Sequence, residues 1–258
     1  MQLIDSHAHI YSDKFKEDID EVISKSLEAG VSGIYMPNID HESIDAMLEL
    51  EARYPANCFS MMGLHPCSVQ KGFEKHLYEV EEWLNRRPFS AVGEIGTDLY
   101  WDKSLFEYQK EAFTIQCDLA IKHELPVAIH CRESIDETIE LLENPQYEQL
   151  TGVFHCFTGT AEQANRIIEL GFKLGIGGVL TFKNSGLADE IKDIGNEHFL
   201  LETDSPYLAP TPYRGKRNTP EHIPLIAQKL ADIKACAVRE IAEITTDNSI
   251  KLFRNYEL

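Results

Sequence analysis

Eight short apolar runs, rich in β-branched and aromatic residues, recur along the chain with longer amphipathic stretches between them. The runs are Leu3–His9, Val31–Pro37, Cys58–Gly63, Phe89–Gly96, Leu125–Cys131, Thr151–Cys156, Phe172–Gly177 and Phe199–Asp204. Each has the length and composition of a strand. The intervals read as helices. In Asp13–Ala29, apolar Phe15, Ile19, Val22, Ile23 and Leu27 follow helical spacing. Ser104–His123 and Thr160–Leu170 behave likewise, and Pro220–Phe253 supplies the last helices. Gly30 and Gly171 stand where helices should end before the next strand, a position that suits glycine. Strands alternating with helices predict a parallel sheet. Eight such units in 258 residues predict a (β/α)8 TIM barrel occupying 1–258 as a single domain. An open doubly wound sheet usually carries a glycine-rich phosphate turn after its first strand. Here that strand ends in His7-Ala8-His9.

Composition narrows the partners. A formal charge of −19 repels polyanions at long range and argues against tracking along duplex DNA. It does not argue against chemistry on a nucleic-acid end, where bound cations dominate locally. No apolar run approaches the roughly 18–20 residues of a membrane helix. The N-terminal residues lack the basic stretch and cleavage site of a signal peptide, so the expected address is the cytoplasm. The six cysteines form no C-x-x-C pair and read as reduced thiols rather than zinc-ribbon ligands.

Unusual polar residues close the predicted strands. The first ends in His7 and His9, which share a strand face at i and i+2. The fourth ends in Gly93-Glu94-Ile95-Gly96, the fifth in His130-Cys131-Arg132, the sixth in His155-Cys156-Phe157 and the eighth in Glu202-Thr203-Asp204. Barrel enzymes build their sites at this end of the strands. Each signal alone is weak. Together they bring four histidines and two carboxylates to one rim. Burying such a set without a cation would cost on the order of several kcal/mol per unpaired charge. Six ligands suit two divalent ions better than one, because a zinc takes about four. A histidine-rich set favours zinc or manganese over magnesium.

These residues lie in motifs with a family signature. DSHAH at 5–9, GLHP at 63–66, GEIG at 93–96, IHCRES at 129–134, HCFTG at 155–159, ETDSPYLAP at 202–210 and RGKRNTP at 214–220 resemble, over essentially the whole chain, the TatD family of metal-dependent DNases. That family is a branch of the amidohydrolase-like barrels. The resemblance implies two divalent ions (zinc, manganese or magnesium). One would be held by His7, His9, Glu94 and Asp204. The other would be held by Glu94, His130 and His155, with Glu94 bridging. It implies hydrolysis of nucleic-acid phosphodiesters, often from the 3′ end of single strands. Some relatives are instead assigned deacylation of D-aminoacyl-tRNA. Many members have NEP where this chain has Asn218-Thr219-Pro220. The run SAVGEIG contains no lysine, which matches a glutamate bridge rather than a carboxylated lysine.

On this reading Asp204 and Glu94 are the catalytic carboxylates. Asp204 orients and deprotonates the attacking water. Arg132, two residues beyond His130, can meet a phosphate, and Lys183, Arg214 and His65 are further candidates for substrate contact. Lys216 and Arg217 extend a sparse basic rim, and Phe157 and Tyr207 read equally as stacking partners for a base or as core or rim packing. Asp5 and Glu202 share strand faces with the ligands and could orient them. His41, His76, His123, His198 and His222 read as structural or surface residues, and Cys131 and Cys156 as pointing away from the site. The expected partner is DNA, short or single-stranded, acted on by a monomer that does not engage a membrane. Two other functions share the ligand set. One is a hydrolase of esters or amides, including aminoacyl-tRNA. The other is a non-catalytic metal-binding scaffold, which would have no need of an aspartate at position 204.

Overall fold

The apolar runs form strands because each can bury one face under helices and the other inside a barrel. In the computed structural model, which describes residues 1–253, they are β1 (Leu3–Asp5), β2 (Val31–Pro37), β3 (Cys58–Met61), β4 (Val92–Asp98), β5 (Val127–Arg132), β6 (Gly152–Phe154), β7 (Lys173–Ile176) and β8 (Phe199–Leu201). All pairings are parallel and run in chain order, β1 to β3 and β4 to β8. Two seams join these sets. Met62 bridges Val92, and the Gly93 N–H donates to Met62 O at 3.0 Å. Ala8 bridges Ser205. Across that seam the His9 N–H donates to Ser205 O at 2.7 Å and the Asp204 N–H to His7 O at 2.9 Å. The sheet thereby closes into the (β/α)8 barrel that the alternation predicts.

Around it lie α1 (Ile19–Glu28), α2 (Ile44–Arg53), α3 (Glu74–Arg86), α4 (Phe106–Lys122), α5 (Ile135–Leu142), α6 (Ala161–Glu169), α7 (Leu187–Ile191), α8 (Ile223–Lys234) and α9 (Val238–Phe253). Among the described residues no helix is long and apolar enough to cross a membrane. Gly30 and Gly171 follow α1 and α6 with φ of +91° and +87°, the left-handed conformation that ends a helix without a Cβ clash.

The barrel interior has a floor. Ile4, Tyr35, Met61, Ala128, Val153 and Leu200, one from each of six strands, pack with Ala91 and with Phe253 of α9 in a buried cluster of their own. Each large side chain buried there contributes roughly 1.5–3 kcal/mol. Alternation carries this inward line upward, from Ala128 to His130 and from Val153 to His155. In β4 the register slips between Gly93, opposite Ala128, and Ile95, opposite Ile129. The extra residue is Glu94, and such a slip re-aims a side chain. Apolar layers below thus leave polar side chains to fill the upper barrel.

Several boundaries differ from the sequence expectation. β1, β6 and β8 stop at Asp5, Phe154 and Leu201, short of His9, Cys156 and Asp204. At the polar residues themselves Cys156 and Asp204 take φ of +48° and +54°, so the chain there turns out of the extended repeat. β4 instead runs on to Asp98, because it stays paired with β5 as far as Arg132. The first helix begins at Ile19 rather than Asp13. Asp13–Phe15 is a separate 3-10 turn that buries Phe15. All six cysteines are free thiols.

Candidate metal centre

Glu94 is the hub of the rim. It is 2% exposed, and its two carboxylate oxygens face different partners. Oε2 lies 3.2 Å from His7 Nε2 and 3.3 Å from His9 Nε2, and Asp204 Oδ1 stands 3.9 and 3.7 Å from the same two nitrogens. Oε1 lies 2.9 Å from His155 Nε2, 3.0 Å from His130 Nδ1 and 3.3 Å from His65 Nε2. Three groups bring ligand-type atoms within 4.8 Å of one another: His7 with His9 and Glu94, His7 with His155 and Asp204, and His65 with Glu94 and His130. All six residues proposed from the strand ends therefore converge, and His65 joins them.

Hydrogen-bond accounting fixes the ring tautomers. The Tyr11 hydroxyl spends its one hydrogen on Pro37 O, at 2.5 Å, so His9 Nδ1 must donate to Tyr11, at 2.9 Å. In neutral His9 this leaves Nε2 as a bare lone pair, 3.3 Å from both His7 Nε2 and Glu94. His130 Nε2 faces Asp98 Oδ2 at 3.0 Å. In neutral His130 that turns the Nδ1 lone pair on Glu94 and on His155 Nε2, 3.1 Å away. Lone pairs and carboxylate oxygens so close repel one another unless protons or cations lie between them. The donor set of imidazole nitrogen and carboxylate oxygen is what divalent transition ions take, so the residues present fit such ions. His65 differs. Its Nδ1 accepts the Cys67 N–H at 3.0 Å, so its Nε2 carries the proton and points a donor, not a lone pair, at Glu94.

The charges follow the same logic. Burial alone would raise the Glu94 carboxyl. The imidazoles of His155, His65 and His7 and the hydrogen bond to His130 outweigh burial and hold it well below the usual range. Burial pushes Asp204 up to about 6, against the pull of His155 and His9. Burial would lower His155, but the charges of Glu94 and Glu202 raise it well above the ordinary imidazole value.

Two supporting carboxylates stand out. Glu202 Oε1 is 3.7 Å from His155 Nδ1 and accepts the Cys156 N–H, so it serves His155 rather than Asp204. Gly175 makes room for it, since a Cβ there would come within 2.2 Å of Glu202 Oε2. Asp5 accepts the Thr203 N–H at 2.9 Å, the Thr203 hydroxyl at 2.5 Å and the His7 N–H at 3.2 Å. It ties the backbone of the first strand to the last and does not touch a ligand ring.

Asp98 was missed in the sequence, although an acid four residues beyond Glu94 in a strand that continues was the available signal. Burial would raise its carboxyl. The hydrogen bonds to His130 and to the Trp101 and Tyr100 amides overcome burial and hold it at about 2. The folded chain thus keeps Asp98 ionised to lower pH than the unfolded chain does. The resulting stability, about 2 kcal/mol by linkage, is present above pH ~4 and lost as pH falls through about 2. Asp98→Asn in metal-free protein should lower stability by that amount at pH 7 in urea unfolding. It should also weaken metal binding about 10–100-fold, because the ring it orients comes loose.

The other candidates divide. Arg132 is exposed on the rim, with its guanidinium 3.5 Å from the Tyr100 ring centre. The Arg214 guanidinium carbon lies 3.7 Å from the Phe182 ring centre, and Lys183 is exposed. Tyr207 is half exposed, with Lys14 4.5 Å over its ring. One open alternative is decided and one expectation fails. Phe157 is 2% exposed and belongs to the apolar core, so it cannot stack on a base. Arg217 is held by Asp18 and by Lys14 O and lies on Phe15, so it is a strut between loop and helix and not part of a basic track. The thiol of Cys156 does not follow strand alternation, because β6 has already ended. Burial pushes it up, and the charges of Asp204, Glu202 and Glu94 add to the shift. Cys131 does turn away, toward Thr138. Thr219 donates to Glu221 at 3.0 Å, and Asn218 donates to Thr203 O at 2.8 Å and contacts His222 Nδ1 at 2.8 Å. His41 stacks on His76 at 4.5 Å, apart from the centre.

Known proteins carry the same arrangement of chain. The family model described as TatD related DNase matches residues 4–254. An uncharacterized metal-dependent hydrolase, YabD of Bacillus subtilis, is 36% identical over 98% of this chain and 99% of its own length. A protein named 3′-5′ ssDNA/RNA exonuclease TatD, from Pectobacterium parmentieri, is 32% identical over 98% of this chain and 99% of its own. The crystal structure of YJJV, a TatD homolog from Escherichia coli K12, superposes with a TM-score of 0.92 at 32% identity, covering 98% of each chain. With motifs, barrel and convergent ligands in agreement, the chain belongs to the TatD family and is a metal-dependent hydrolase.

Proposed function

We propose that the chain is a nuclease that removes nucleotides from the 3′ ends of short or single-stranded DNA, using two divalent ions bridged by Glu94. One observation carries this reading. The two oxygens of Glu94 face two separate sets of imidazoles, and Asp204 stands at the more open side of one set, 15% exposed. The ions, zinc, manganese or magnesium, would be held by His7, His9, Glu94 and Asp204 and by Glu94, His130 and His155. When bound they make a water molecule acidic and neutralise phosphate oxygens. The chain's own residues do the rest. Asp204 orients the attacking water and takes its proton. The His65 Nε2–H, freed from Glu94, donates to a phosphate oxygen, and Arg132 closes on the same phosphate. Lys183 and Arg214 meet the next phosphates along the strand. The relative named as a single-strand exonuclease supports this substrate class.

The raised Asp204 makes metal binding depend on pH. Below about 6 the carboxyl holds a proton that a cation must displace. Affinity should therefore fall as pH drops: the His155 ring, raised well above the ordinary imidazole value, must also shed a proton to bind, so the fall begins above pH 6 and steepens below it as Asp204 takes up its proton. Titration calorimetry in two buffers of different ionisation enthalpy should show proton release on binding. End dependence is tested with a 5′-labelled single strand and its circular form. Metal-loaded protein should shorten the linear strand stepwise and leave the circle intact. Equal cleavage of both would refute the end preference. Cleavage of neither, with turnover of an aminoacyl ester, would move the chemistry to carbonyl carbon.

A further inference from the structure

Just past β4, Tyr100 and Trp101 stand on the rim 47% and 70% exposed. Water around so much ring surface is unfavourable, and an idle loop would have no reason to hold it rigidly. Yet this loop is pinned. Asp98 Oδ1 accepts the Tyr100 N–H at 2.9 Å and the Trp101 N–H at 3.1 Å. The other oxygen of the same carboxylate holds His130. The Leu99 N–H donates to Arg132 O at 2.9 Å. The rings meet edge to face, 4.9 Å apart at 88°. Arg132 lies 3.5 Å over Tyr100 and 5.5 Å from Trp101. A guanidinium flat on a ring keeps its N–H edge free for a phosphate. Aromatic rings, a cation and the metal centre thus adjoin one another around Asp98, which holds the loop amides and His130 and pairs in register with Arg132.

We propose that Tyr100, Trp101 and Arg132 form a nucleotide-binding shelf. A base of the single strand next to the scissile phosphate stacks on the exposed aromatic rings, and its phosphate meets the edge of Arg132. The proposal deepens the nuclease reading and rests on it for the choice of ligand. Stacking suits a chain of charge −19, because it binds a strand without a basic track. It also reads no particular base, since every base offers a π face.

The chain has two tryptophans, so Trp83→Phe leaves Trp101 as the sole reporter. Metal-loaded Trp83→Phe with Asp204→Asn, which slows turnover, is titrated with tetrathymidylate and with an abasic tetramer of equal charge. Saturable quenching by tetrathymidylate, at least about tenfold tighter than by the abasic tetramer, is expected. In the otherwise wild-type enzyme, Trp101→Ala should raise KM for single-stranded oligonucleotides about tenfold and leave kcat within about threefold. Equal quenching by both tetramers, no quenching, or an unchanged KM would overturn the shelf. The two readings separate cleanly. Nucleotide release without base-dependent quenching removes the shelf and keeps the nuclease. Base-dependent quenching without release keeps the shelf and removes the nuclease.

Discussion

Asp204→Asn should cut turnover by about a thousandfold or more while the barrel stays folded. The carboxyl is the group proposed to take the proton from water, and removing such a base costs about 10²–10⁴ in rate. Asparagine is the right replacement for a structural reason. Asp204 has φ of +54°, a region that asparagine tolerates and alanine resists. Its backbone N–H bond to His7 O is retained, so the seam between first and last strands stays closed. Melting within about 3 °C of wild type would certify the fold, since roughly 2–4 °C corresponds to 1 kcal/mol at this size. Turnover within tenfold of wild type would remove Asp204 from the chemistry.

Glu94→Gln should have an effect as large, by a different route. An amide offers one oxygen acceptor where the carboxylate offers two, so it can serve only one of the two imidazole sets. Bound metal should fall from two per chain to one or fewer, and turnover should drop at least about a thousandfold with it. The metal-free protein should suffer too. Glu94 is the anion that His155 and His130 approach at 2.9 and 3.0 Å in a buried site. Breaking such a pair typically costs about 3–5 kcal/mol, because the partner's charge is left uncompensated. Metal analysis by mass spectrometry and urea unfolding of the chelated protein check the two halves. Two ions per chain in the variant would contradict a bridging role.

The two variants also show which features a lone sequence reveals. His7, His9, His130 and His155 could be placed on one rim because each ends an apolar run, and barrel topology gathers strand ends. Glu94 is less direct. Its inward turn comes from the register slip against β5, which involves a residue pair 34 positions away and leaves no mark in the local pattern. Asp204 was expected inside a strand and lies in a left-handed turn beyond it. The polar identity was legible, but the backbone that aims it was not. Phe157, which the sequence left open between base stacking and packing, lies beyond the end of β6 and packs in the core. Arg217 failed because its partner Asp18 lies 199 residues away, and composition reports charge without pairing. Tyr100 and Trp101 followed a strand that continued two residues further than its apolar run, so their place beside the centre became visible only with Asp98.

Mononucleotide release from single-stranded DNA, measured against the number of manganese ions bound per chain, tests the central claim most directly. Chelated protein should be inactive. Activity should return with added metal, reach its maximum at two ions per chain, and be absent from Asp204→Asn at the same metal content. Full turnover in the chelated protein, or a maximum reached without a second ion, would contradict the Glu94-bridged centre.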